Sequence, residues 1–106
     1  MAAYVIAHID IKDPVRYEDY KTMSPISIQK FGGRFISRGA PPVVLEGAWQ
    51  PKRLVLIEFP SVEVARQWWA SDDYAPARQL RQATSTGDLV IIDGVPDTRS
   101  ADAGTR

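Results

Sequence analysis

The segment RLVLIEFPSVEVARQWWASDDYAPARQLR, Arg53 to Arg81, decides how the chain folds. Its first seven residues alternate as a strand does, so side chains two apart share a face. Leu54 and Leu56 point one way, Val55, Ile57 and Phe59 the other, and both sets are apolar. Such a strand has something to pack against on each side of its sheet. Ser61 then caps a helix whose first turn holds Glu63, where an acid suits the helix dipole. Trp68 stands four and three residues after Val64 and Ala65, on the stripe that faces the sheet. Trp69 lies about 100° further round, near Ala65 and Arg66, so the two indoles cannot enter one core. One reading places Trp68 in the core and Trp69 at its edge, stacked on an arginine stem. The other has one of the two indoles walling a ligand cleft between helices and sheet. Ser71 caps a further helix, with Asp72 and Asp73 in its first turn. There Tyr74, Arg78 and Arg81 recur at helical spacing and share a face.

Upstream, YVIAHIDI is rich in β-branched residues and predicts a strand over Ala3 to Ile11. Asp13 and Pro14 supply a helix start, the proline at the position where its missing N–H costs nothing. Tyr17 and Tyr20 fall three apart on that helix. Ser24-Pro25 interrupts it, as a kink or as a second start with Ser24 as cap. Gly32-Gly33 ends it, one of the pair taking the left-handed conformation. GRFISRG is a second strand. PPVVLEGAWQPKRLVLIEF reads as a short strand, a turn through Trp49 to Lys52, and the third long strand. GDLVIIDGV closes the pattern as the last strand.

The order strand, helix, strand, strand, helix, strand fits an α+β, ferredoxin-like βαββαβ domain over residues 1–95. Four antiparallel strands would carry the helices on one face. The opposite face keeps apolar residues such as Leu54 and Leu56, a liability in a monomer. The expected solution is a homodimer whose sheets face each other. From residue 96 to 106, PDTRSADAGTR lacks apolar periodicity, and a disordered tail is expected.

Composition narrows the function. A formal net charge of zero provides no global field toward nucleic acid or an anionic membrane, so neither is expected as a partner. Absence of cysteine excludes disulfides, thiolate metal sites and cysteine nucleophiles. The opening MAAYVIAHIDIKD lacks a basic region and a long apolar run, which points to a cytoplasmic protein without a membrane span. No nucleophile elbow, phosphate loop, dinucleotide fingerprint or zinc spacing is present.

Several separated motifs in this order resemble one family: DPVRYEDY, the midchain Pro25, FGGRFISRG, LEGAWQPKRLVLIEFPS, WWASDDYAPARQLR and the closing IIDGV. From about Tyr4 to Val95 the chain resembles the domain of unknown function 1330. That resemblance implies the dimeric α/β-barrel superfamily, whose relatives include cofactor-independent monooxygenases, muconolactone isomerases and haem-binding enzymes. It implies no assigned catalytic residue. The polar motif positions it carries over are Tyr20, Arg38, Glu46, Arg53, Trp68, Ser71, Tyr74 and Arg81, whereas the second tryptophan, Trp69, departs from the family pattern.

The ligand-binding candidates are therefore Tyr20, Arg38, Arg53, Trp68, Ser71, Tyr74 and Arg81. Arginines and tyrosines at the mouth of an apolar cleft can hold a carboxylate or enolate oxygen. Each also has a plain structural alternative: Ser71 as a cap, Arg81 paired with Glu18 or Asp19, and Arg38 or Arg53 paired with Glu46 across strands. His8, the only histidine, shares a strand face with Asp10. It is a candidate general base or haem ligand, or simply a satisfied polar residue; Arg81 is the other catalytic candidate. No cofactor and no metal site is expected. Two functions stand side by side. One is a small cofactor-independent enzyme, monooxygenase- or isomerase-like, for a partly apolar carboxylate or carbonyl compound. The other is a non-catalytic dimeric binding or stress-related module. Arginines beside a cavity would favour the first; arginines consumed by Glu46, Glu58, Asp72 or Asp73 would favour the second.

Overall fold

A computed structural model describes residues 2–96. Within them the elements run β1 Ala3–Ile11, α1 Pro14–Lys30, β2 Arg34–Arg38, β3 Leu54–Phe59, α2 Val62–Ala70, α3 Ala75–Thr84 and β4 Ser85–Asp93. The strands form one antiparallel sheet in the order β2-β3-β1-β4. Strands β1 and β3 thus take the centre, and the helices cover one face, as the α+β ferredoxin-like reading requires.

The alternation along the central strands shows which face that is. Ala3, Val5, Ala7 and Ile9 of β1 are buried under the helices, as are Val55, Ile57 and Phe59 of β3. Tyr17 and Ile28 of α1, Ala65 and Trp68 of α2, and Tyr74 and Ala77 complete the core. Tyr4, Ile6 and His8 emerge on the opposite, uncovered face with Leu54, Leu56, Val90 and Ile92.

Local chemistry sets the element ends. The Asp13 carboxylate accepts the Arg16 N–H, and Ser61 Oγ accepts the Val64 N–H, so both caps act as read. Gly32, at φ +75°, takes the left-handed turn after α1.

Three expectations change. First, α1 continues through Pro25 as one helix, with no second start at Ser24. Second, Asp72 and Asp73 lie in a turn before α3 rather than in its first turn; Ser71 Oγ accepts the Tyr74 N–H and donates to the Trp68 carbonyl, joining the two helices. Third, VVLEGAW forms no strand: residues 40–53 are loop, with Val43 and Leu45 exposed. Pro41, Pro42 and Pro51 lack the N–H that a ladder needs. The tail expected from residue 96 lies, Pro96 apart, outside the described residues. No helix among them is long and apolar enough to cross a membrane.

Candidate functional site

Between the helices and the sheet lies a crevice floored by apolar residues of β1 and β3. Tyr17 and Tyr20 of α1, Trp68 of α2, Arg38 of β2, Arg53 before β3 and Arg81 of α3 line it. Helical spacing places the two tyrosines together, their rings 5.2 Å apart. Trp68 is fully buried against Phe59 and Tyr74, with ring centroids 5.1 and 4.1 Å away. Its indole N–H donates to Ser27 Oγ at 3.1 Å, which fixes the indole plane between core and crevice.

The arginines arrive by three routes. Arg81 is buried on α3, and its Nε–H donates to the Tyr74 hydroxyl at 3.3 Å; that hydroxyl shares a 2.8 Å hydrogen bond with Tyr20. Arg53 lies 5.8 Å from the Tyr17 ring centre, and its Nε is buried with no hydrogen-bond partner. Gly39, at φ +83°, leaves the space this guanidinium fills: a Cβ there would collide with Arg53 Nη1 and Cζ. Arg38 reaches the helix side because β2 carries a bulge between Phe35 and Ser37, which sets Arg38 opposite Val55 instead of on the outer face with Arg34. Its guanidinium sits 4.4 Å above the Phe35 ring and donates to the Lys21 carbonyl.

No carboxylate lines this crevice, and among the described residues none lies within ion-pair distance of Arg38, Arg53 or Arg81. The anticipated pairing of Arg38 or Arg53 with Glu46 is absent; Glu46 is exposed in the 40–53 loop. The strand-to-strand ion pair joins Arg34 to Glu58 at 2.7 Å, and Tyr4 donates to the same carboxylate. Glu18 pairs with Lys21, so it is not Arg81's partner. The phenols are held neutral: burial pushes Tyr20 well above its ordinary 10.0, with Tyr74 adding to the rise, and burial raises Tyr17 against the opposing pull of Arg53. The polar side chains lining the crevice are thus cations, hydroxyls and the Trp68 indole, and the Tyr17 and Tyr20 hydroxyls keep their protons. The crevice holds about 20 Å³, room for one water.

Other candidates lie elsewhere. Tyr74 touches the site through its hydroxyl, whereas Ser71 serves the α2–α3 turn. Arg78 leaves the face shared with Arg81 to lie over Trp69, 4.9 Å from its ring centre, and donates to the Trp69 carbonyl. Trp69 is the partly exposed edge residue on an arginine. His8 sits on the uncovered face, separated from the crevice by the sheet; its Nε2 accepts the Lys52 N–H at 3.2 Å, and Trp49 packs against its ring. Asp10 is engaged by Lys12 at 3.0 Å. Among the described residues no group of three or more His, Asp or Glu gathers to hold a metal. Sequence reading overlooked Tyr17 as a wall of the site and Ser27 as the anchor of Trp68. The three-residue spacing to Tyr20 pointed to the former; nothing local marked the latter.

A family model for a domain of unknown function, DUF1330, matches residues 2–95. The chain belongs to the DUF1330 family. Solved structures similar to this DUF1330 domain include a protein of unknown function from Rhodopseudomonas palustris, with TM-score 0.73 and 17% identity over 89% of this chain and 82% of that one. SnoaB, a cofactor-independent oxygenase from Streptomyces nogalater, superposes with TM-score 0.62 at 13% identity, covering 92% and 96%. An antibiotic biosynthesis monooxygenase gives TM-score 0.52 at 17% identity, covering 91% and 100%. At these identities the likeness shows the fold. No curated protein matches this chain.

Proposed function

We propose that this domain binds a small, partly apolar compound through a carboxylate, enolate or carbonyl oxygen in the crevice between its helices and its sheet. The observation that carries the reading is the convergence of Arg38, Arg53 and Arg81 on one crevice without a single acid. Arg81 is buried and Arg53 half-buried without a counter-ion, which is costly, and an anionic ligand would supply one; Arg38 stands exposed at the mouth. Tyr17, Tyr20 and Trp68 would flank the apolar part of the ligand, and the Tyr74 hydroxyl would orient Arg81 and Tyr20. Ser71 acts only through the turn that places Tyr74.

The donor set limits the chemistry. Arginine and neutral tyrosine stabilise negative charge but do not remove a proton, and His8 stands on the other side of the sheet. Cofactor-independent catalysis here would act on compounds that arrive as anions, or ionise once held by the arginines. The likeness to a cofactor-independent oxygenase fold supports that class of chemistry as an expectation. A second copy of the chain would cover the uncovered apolar face, giving a homodimer with the crevice inside each subunit.

Benzoate against neutral benzamide, followed by thermal unfolding and tryptophan fluorescence, tests the binding claim. Benzoate should raise the melting temperature saturably, and benzamide should not. Arg53→Met removes a buried donor without a partner, worth about 1 kcal/mol. It should raise the melting temperature of the ligand-free protein by about 4–8 °C and abolish the benzoate response. Equal responses to the two compounds, or no response to either together with a destabilised Arg53→Met, would overturn the reading.

A further inference from the structure

Pro25 sits twelve residues into α1, where a proline removes an N–H from the helix ladder. The carbonyl deprived of its donor is that of residue 21, four positions earlier. Lys21 is also the residue whose carbonyl accepts the Arg38 guanidinium. On the other side of the crevice, the bulge in β2 turns Arg38 away from the outer face, and Phe35 seats it from beneath. A helix proline, an edge-strand bulge and an aromatic seat all bear on one side chain. That side chain lines the crevice and bridges β2 to α1 beside it.

We infer that Pro25 is a positioning residue. By freeing the Lys21 carbonyl it provides the acceptor that holds Arg38 across the crevice mouth, with the rest of the guanidinium fork presented to the incoming anion. The fork has five donors, so one bond to the carbonyl leaves others for an oxyanion. In an uninterrupted helix the residue 25 N–H would take that carbonyl, and Arg38 would lose its catch. The consequence for the anion rests on the binding role proposed above; the tether itself does not.

Pro25→Ala is the deciding variant, because alanine restores the N–H and favours the helix. Phenylglyoxal labelling of individual arginines, read by peptide mass, reports how firmly Arg38 is held. Labelling of Arg38 should accelerate several-fold in Pro25→Ala, with Arg53 and Arg81 unchanged and thermal stability equal or higher. Benzoate affinity should fall about three- to tenfold, and Arg38→Lys, which keeps the charge but not the fork, should not restore it. In the otherwise native protein, Arg38→Met should shift the Lys21 carbonyl carbon resonance upfield as its hydrogen bond is lost. An unchanged Arg38 labelling rate in Pro25→Ala, or an unmoved Lys21 resonance in Arg38→Met, overturns the inference. Accelerated labelling in a protein that never binds benzoate would sustain the tether and overturn the binding role instead.

Discussion

Tyr20 gathers four influences on one hydroxyl: burial, the neighbouring Tyr74 hydroxyl and Tyr17, which all raise its pKa, and the charge of Arg81, which lowers it. Burial dominates, so the folded state holds this proton more tightly than the unfolded chain does. For a group whose pKa is raised on folding, the stabilisation is fully present below the unfolded value and is lost as pH climbs beyond it. Urea unfolding should therefore show a steady midpoint from pH 7 to 9 and a fall above about pH 10, the ordinary tyrosine value. Each such tyrosine contributes up to about 1.4 kcal/mol per pH unit to that fall. Tyr20→Phe should flatten part of it, leaving the share of Tyr17, which burial also raises. An identical alkaline slope in Tyr20→Phe would contradict this assignment. At this scale the sequence was informative where spacing alone decides neighbours: Tyr17 with Tyr20, and Trp68 with Ala65. It was silent where two elements must first meet, as with Arg53 over Gly39 or Trp68 on Ser27.

Between elements, the Trp68–Ser27 hydrogen bond ties α2 to α1 through a buried donor. Ser27→Ala would leave the buried indole N–H without its acceptor, at a cost of about 1–3 kcal/mol. Equilibrium denaturation should show that loss, together with a tryptophan emission shift as the indole relaxes. A change below half a kilocalorie would mean the bond contributes little. The two central strands and both caps were readable, because apolar alternation and a Ser or Asp before a helix are local properties. VVLEGAW misled because it has the composition of a strand, while its flanking prolines deny it the donors of one. The β2 bulge left no trace in RFISR, yet it decides on which side of the sheet Arg38 appears. A strict two-residue period would have put Arg38 beside Arg34.

For the molecule as a whole, the uncovered sheet face is the feature that asks for company. Ile36, Val90 and Ile92 are each about half exposed there, and the 40–53 loop adds Trp49 through its contact with His8. The homodimer proposed above should appear by light scattering at micromolar concentration. Ile92→Lys, on the outer face of an edge strand, should shift it to a folded monomer with unchanged far-ultraviolet dichroism. A wild-type monomer under those conditions would refute the sheet-to-sheet assembly.

A crevice with room for one water would have to widen before the ligand proposed above could enter. Arg38 would swing from the Lys21 carbonyl to admit that ligand and return to its catch once the ligand is seated, so the swing would limit the rate of capture and not the final affinity. With about 1% of molecules open, capture would be slowed about a hundredfold. In rapid mixing, the observed rate should then stop rising with ligand concentration and level off at the rate of opening. Loosening the mouth would raise that plateau even where it weakens the final grip, so speed of capture and tightness of hold would be set against each other.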